Sequence, residues 1–233
     1  MNEIKNTVKE TLEQIGRRNS IVSELKPELC HICGINIATI IFGIDGVYSF
    51  PTICKHCHSE KHSKKIENEI KNVVPPKYIG IETDHNDLSS NPGSLFISGN
   101  PGSGKTVLAC SIAKKYIRDG EKVKFINFPA FIMRLQSAYK NDKDNPFAIA
   151  EEIAKFYGVL IIDDLGAEKL TDFVKQIIYF IVNEREQRVL TTIITSNFTL
   201  GELDSHIDSR ISSRIAGMCK IVKMSGVDRR IKK

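Results

Sequence analysis

No stretch of this sequence approaches 18 consecutive apolar residues, which excludes a helix that spans a membrane. The opening residues, MNEIKNTVKE, hold no apolar core of a secretory signal, so the expectation is a protein that stays in the cytoplasm without membrane association. Charge of neither sign dominates. The 33 Lys and Arg against 28 Asp and Glu leave a net +5, an excess compatible with nucleic acid but no argument for it. A disulfide framework is also missing: six cysteines would hint at one in a short secreted chain, but thiols stay reduced in the cytosol and four of the six are spaced as metal ligands. Cys110 and Cys219 lie in apolar segments and read as buried small hydrophobes. What remains is the composition of an ordinary globular protein, with enough chain for one α/β core plus a small module.

One stretch organises the rest. Gly99-Asn100-Pro101-Gly102-Ser103-Gly104-Lys105-Thr106 fits G-x-x-x-x-G-K-[ST], a loop whose glycines let backbone N–H groups turn inward around phosphate oxygens. The apolar run Ser94 to Ser98 follows turn-prone Asn91-Pro92-Gly93 and predicts a buried strand. From Thr106 to Asp119, Val107, Leu108, Ile112 and Tyr116 recur at helical spacing. Strand, loop and helix in that order point a helix N-terminus at an anion. Lys105 is then expected on the β- and γ-phosphates of ATP and the Thr106 hydroxyl on Mg²⁺.

Before this loop, Ile4, Val8, Leu12 and Ile15 form one apolar stripe over Met1 to Arg18, a helix docked on its own domain or offered to a partner. Cys30-His31-Ile32-Cys33 and Cys54-Lys55-His56-Cys57 are two C-x₂-C pairs separated by twenty residues. Two such turns complete the tetrahedral S₄ shell of a closed structural Zn²⁺ site, which leaves His31, His56 and His58 outside the ligand set. Ile37 to Phe42 and Val47 to Phe50 predict a small hairpin between the pairs, and the whole reads as a zinc ribbon. Ser59 to Val74 continues as a charged helix that Pro75-Pro76 stops. The domain reading is 1–74 for the helix, ribbon and partner-binding module, 75–93 for a linker, and 94–233 for the nucleotide domain.

In that domain Lys122 to Asn127 predicts a strand, and Phe128 to Tyr139 and Pro146 to Phe156 predict helices. Val159 to Asp164 is an apolar strand that delivers two acids. Asp163 is expected to hold Mg²⁺ through its water shell, and Asp164 to orient or deprotonate the attacking water. Thr171 to Gln187 is a long helix, and Thr191 to Thr195 is a core strand that ends at Ser196-Asn197, where Asn197 sits beside the γ-phosphate or merely ends the strand. Arg210 and Arg214 lie one helical turn apart, as surface ion-pair partners or as an arginine finger that reaches a neighbouring subunit's nucleotide. Lys220 to Met224 closes a five-stranded sheet.

The P-loop, I-I-D-D-L-G, T-S-N, the R-I-x-S-R-I helix and the terminal G-x-D-x-R together resemble the AAA+ helicase loaders of the DnaC and DnaI kind, with IstB-type transposition helpers as relatives. The resemblance covers about residues 75 to 230 and implies an AAA+ base domain without a lid. It implies sensor 1 for Asn197, the arginine finger for Arg214 and the sensor 2 arginine for Arg230. It places an initiator-specific helix at Phe128 to Tyr139, with Arg134, Lys140 and Lys143 as phosphate contacts on single-stranded DNA. It further implies self-association through the ATP interface, a hexameric replicative helicase as partner of the N-terminal module, and weak ATPase activity that acts as a switch. Asp164 departs from the family's usual Glu, which sets the base about one methylene back. The alternatives are a transposition helper, a small-molecule P-loop kinase, and a zinc-ribbon nucleic-acid binder with a vestigial ATPase.

Overall fold

The computed structural model describes residues 27–30, 32–34, 36–38, 55–81, 92–141 and 145–226. It divides into two compact units, Met1–Lys65 and Ile66–Lys233. In the first, β1 (Pro27–Leu29) pairs antiparallel with β2 (Asn36–Ala38), with Leu29 opposite Asn36. The turn between them carries the first cysteine pair and closes through the Gly34 N–H on the Cys30 carbonyl at 2.9 Å, with Gly34 at φ 70°. Ile37, expected in a hairpin strand, pairs with Glu28 of the strand before the cysteines. The rest of that hairpin and the helix over Met1 to Arg18 lie outside the described residues.

Helix α1 (Lys55–Val73) starts earlier than its charged run suggests and takes Cys57 into its first turn. Its last turns bury Ile70, and Val74 follows on the same apolar side. Both join the core of the second unit, with Ile66 and Val73 packed beside them. The division therefore falls at 65/66 rather than near 74, since the apolar positions of the helix end drive it into that core. Residues 75–81 also belong to the second unit rather than to a free linker: Tyr78 and Ile79 pack on the same cluster.

The second unit is a five-stranded parallel sheet in the order β4-β5-β6-β3-β7. The strands are β3 (Leu95–Gly99), β4 (Val123–Asn127), β5 (Val159–Leu165), β6 (Thr192–Ser196) and β7 (Lys220–Met224). Residues alternate between the two faces. Phe96, Leu160, Ile162 and Ile194 join the core under α3 (Phe128–Asn141), α4 (Pro146–Ala154), α5 (Asp172–Gln187), α6 (Leu200–His206) and α7 (Ser209–Met218). Leu95, Ile97, Ile161 and Ile193 face α2 (Lys105–Arg118) and the end of α1. Cover on both faces explains why the central strands read as unbroken apolar runs.

Side-chain caps set the helix starts. Thr171 caps α5, Thr199 and Glu202 form a capping box on α6, and Asp208 accepts from the Arg210 N–H at the start of α7. At the far end of the sheet from the P-loop, Arg185 of α5 is wholly buried. Its guanidinium donates to the carbonyls of Phe156 at 3.0 Å, Gly158 at 2.9 Å and Thr191 at 2.7 Å, and to Thr192 Oγ1 at 2.7 Å. Burial pulls its pKa down to about 10.

Candidate nucleotide site and cysteine cluster

A parallel sheet places its functional groups at the carboxyl ends of its strands. Here β3, β5 and β6 end side by side. β3 runs into the loop Gly99 to Gly104, and α2 follows with Gly104 at its N-cap in a left-handed conformation, φ 98°, with no side-chain cap. The start of the helix points its partial positive charge at the loop, where an anion is favoured. Gly99 is required for a reason the motif does not state: a Cβ there would lie 2.2 Å from the Met224 carbonyl oxygen of the adjacent β7.

Lys105 is 5% exposed, and its ammonium donates to the carbonyls of Gly99 at 2.8 Å and Asn100 at 2.9 Å and to Asn197 Oδ1 at 2.8 Å. The cation thus joins the P-loop to the tip of β6. Asp163 is buried at the tip of β5. Desolvation pushes its carboxyl above the usual range, the Asp164 charge adds to that push, and hydrogen bonds from Thr195 and Thr106 with the Lys105 charge pull back. The chain bulges between Ile162 and Leu165, and Asp164 takes φ 61°, which turns its side chain into the pocket.

Thr195 holds this arrangement and was not singled out by sequence. It is fully buried, donates to Asp163 Oδ1 at 2.6 Å and accepts from the Asp164 N–H at 2.9 Å. The signal was present: a hydroxyl that follows Ile193 and Ile194 at the end of the strand beside the acids.

These groups open on a pocket of about 280 Å³, lined by Pro101, Gly102, Gly104, Lys105, Thr106, Asp164 and Asn197, with Lys77, Tyr78 and Ile81 on a further wall. The donor set fits a magnesium triphosphate. Thr106 and Asp163 already meet through a side-chain hydrogen bond, as two oxygens that share one cation should. The Ser103 hydroxyl is buried with no hydrogen-bond partner among the described residues. Lys105, Thr106, Asp163, Asp164 and Asn197 are therefore brought together.

Arg214 is not part of this group in its own chain. It pairs with Glu186, donates from Nη2 to the Tyr179 hydroxyl oxygen at 3.2 Å, and lies 5.3 Å over that ring. Arg210 stacks on the same ring at 5.3 Å and is held by Asp208 at 2.8 Å. Arg230, Lys143 and Cys54 lie outside the described residues. In the first unit the thiols of Cys30, Cys33 and Cys57 lie within 4.8 Å of one another, a separation that suits three ligands of one tetrahedral zinc. Cys110 and Cys219 are buried as expected, and burial lifts both thiols to about 12.

Fold and site define a P-loop nucleotide-binding module of the AAA+ type. The comparisons agree: the model of the IstB-like ATP binding proteins matches residues 83–233, and the chain belongs to that family. The chain is 25% identical to the replicative helicase loader DnaI of Bacillus subtilis over 159 residues, 63% of this chain and 50% of that one. It is 22% identical to the replicative helicase loader DnaC of Escherichia coli K12 over 161 residues, 69% of this chain and 63% of that one. It thus spans between half and just under two thirds of the length of these relatives. A crystal structure of the DnaC helicase loader superimposes with a TM-score of 0.50 at 24% identity, covering 71% of this chain and 89% of that one, which shows the shared fold. Among the described residues no helix is long and apolar enough to cross a membrane.

Proposed function

We propose that this protein is an ATP-dependent loader that delivers a replicative DNA helicase onto single-stranded DNA at the start of replication. The observation that carries the reading is the convergence of Lys105, Thr106, Asp164 and Asn197 on one pocket, with Asp163 hydrogen-bonded to Thr106 beside it, in a chain whose relatives are named as replicative helicase loaders. When bound, ATP with Mg²⁺ supplies the phosphoanhydride that is cleaved and the charge neutralisation that cleavage needs. Residues 99–104 and the start of α2 bind the phosphates, Lys105 neutralises the β- and γ-oxygens, and Thr106 and Asp163 hold the cation. Asp164 takes the proton of the attacking water, which Asn197 orients. Turnover is slow, and the hydrolysis acts as a switch.

Two copies share the nucleotide. Arg214 of a neighbour completes the site once its pair with Glu186 opens; Arg210, whose side chain is 72% exposed against 32% for Arg214, is the alternative donor. Arg230 contacts the nucleotide as sensor 2. Helix α3 presents exposed Arg134 to the phosphates of single-stranded DNA. The first unit, stapled by zinc on Cys30, Cys33, Cys54 and Cys57, grips the hexameric helicase, and the whole works in the cytoplasm.

The matching family takes its name from IstB, which favours a second reading, a transposition helper that binds a transposase. Size exclusion of the full chain with a replicative helicase, with and without ATP, separates the two. The loader reading expects ATP-dependent co-elution that Lys105→Ala abolishes. A chain that stays monomeric with nucleotide, DNA and helicase present refutes it, and co-elution with a transposase alone selects the second reading.

A further inference from the structure

The wall of the nucleotide pocket formed by Lys77, Tyr78 and Ile81 comes from neither the P-loop nor the strand tips. It is a run of tight turns. Pro76–Tyr78 is a 3-10 helix, the Ile79 N–H bonds Pro76 O at 3.3 Å, and the Ile81 N–H bonds Tyr78 O at 3.3 Å. Tyr78 and Ile79 pack on the core, but among the described residues no strand pairs with this run, so its own backbone bonds do not fix where Gly80 and Ile81 sit against the pocket.

Lys114 does. This lysine is 1% exposed, and its ammonium donates to the carbonyl of Ile79 at 3.0 Å and to that of Ile81. Burying a cation is costly unless its donors are satisfied, and here they are spent on carbonyls either side of Gly80. Lys114 belongs to α2, nine residues after Lys105, so the helix that begins at the P-loop also anchors the Lys77–Ile81 wall. Lys105, Asp164 and Asn197 mark the γ-phosphate end of the pocket. The wall from Lys77 to Ile81 offers an aromatic ring and an aliphatic side chain, the surface a heterocycle stacks on.

We propose that Lys114 is a positioning residue for the nucleobase: by clamping Ile79 and Ile81 it holds Tyr78 and Ile81 where the base of a bound nucleotide packs. The proposal rests on the nucleotide-site reading above. It separates base binding from phosphate binding, since the carbonyls that Lys114 holds belong to residues 79 and 81, outside the P-loop.

The test is calorimetric titration of the full chain with ADP and with inorganic pyrophosphate, both with Mg²⁺. Lys114→Met is expected to weaken ADP about tenfold and to leave pyrophosphate within about twofold. Tyr78→Ala should repeat that pattern, and the double variant should be no weaker for ADP than the worse single one, because both act on one wall. If Lys114→Met does not fold, hydrogen exchange on the wild type decides: ADP slows exchange at the Ile79 and Ile81 amides and pyrophosphate does not. Equal losses of ADP and pyrophosphate, unchanged ADP binding in Tyr78→Ala, or exchange that pyrophosphate slows as much as ADP does would overturn the proposal. A wild-type chain that binds neither ligand overturns the nucleotide-site reading itself.

Discussion

Replacing Thr195 by valine removes one hydroxyl from the centre of the site and changes little else. Valine has nearly the same shape, so no cavity opens, and the loss is chemical. The hydroxyl donates to the buried Asp163 carboxylate at 2.6 Å and accepts from the Asp164 N–H at 2.9 Å. A hydrogen bond to a charged group is worth about 1.5–3 kcal/mol, and a stranded N–H costs about 1–3 kcal/mol. The two losses share one atom and do not add in full, so the expected destabilisation is about 2–4 kcal/mol. For a unit of this size each kcal/mol moves the thermal midpoint by about 2–4 °C, which predicts a fall of about 5–15 °C by scanning fluorimetry. Phosphate release should fall as well, because the bulge that aims Asp164 is no longer tied to β6. Thr195→Ser keeps the bridge and should stay near wild type. A valine variant within about 2 °C of wild type, or a serine variant that falls as far as valine, refutes the bridge as the source of the effect.

Three further outcomes follow from the geometry. Arg185→Met removes the guanidinium donors to the carbonyls of Phe156 and Gly158, while that of Thr191 keeps the Leu160 N–H, and should cost on the order of 2–4 kcal/mol, read as a midpoint loss of more than about 4 °C with nucleotide affinity retained. Asp208 is held at about 2, first by its side-chain bond from Arg210, against 3.8 ordinarily. A depressed carboxylate stabilises the fold fully above its ordinary value and loses that contribution as pH falls towards 2, so the midpoint difference between wild type and Asp208→Asn should be present at pH 6 and vanish near pH 2. Wild-type protein should carry one zinc per chain by elemental analysis, and Cys57→Ser should lose it while still binding nucleotide.

The strands and helices of the nucleotide unit were legible because both cores obey simple periods: alternate strand residues face opposite layers, and the P-loop, the paired acids and Asn197 all fall where a strand stops. Charged residues at apolar positions were harder to read. Lys114 follows Cys110 by four and precedes Ile117 by three, and Arg185 follows Ile181 by four, so both lie on buried stripes. Composition treats such residues as surface charges, and only their place in the helical period shows that they point inward. The division at 65/66 was hidden for a related reason. The prolines mark where α1 ends, whereas Ile66 and Ile70 decide which unit its end belongs to.

The left-handed turn at Asp164 bears on the pace of the hydrolysis proposed above. A non-glycine residue at φ 61° is tolerated best when its side chain is a short Asp or Asn. The truncated acid is therefore the residue this backbone accepts, and lengthening it to glutamate would trade a better reach towards water for a strained main chain. In the proposed switch, a pace set by the shape of the polypeptide is hard to reset by a single change of side chain.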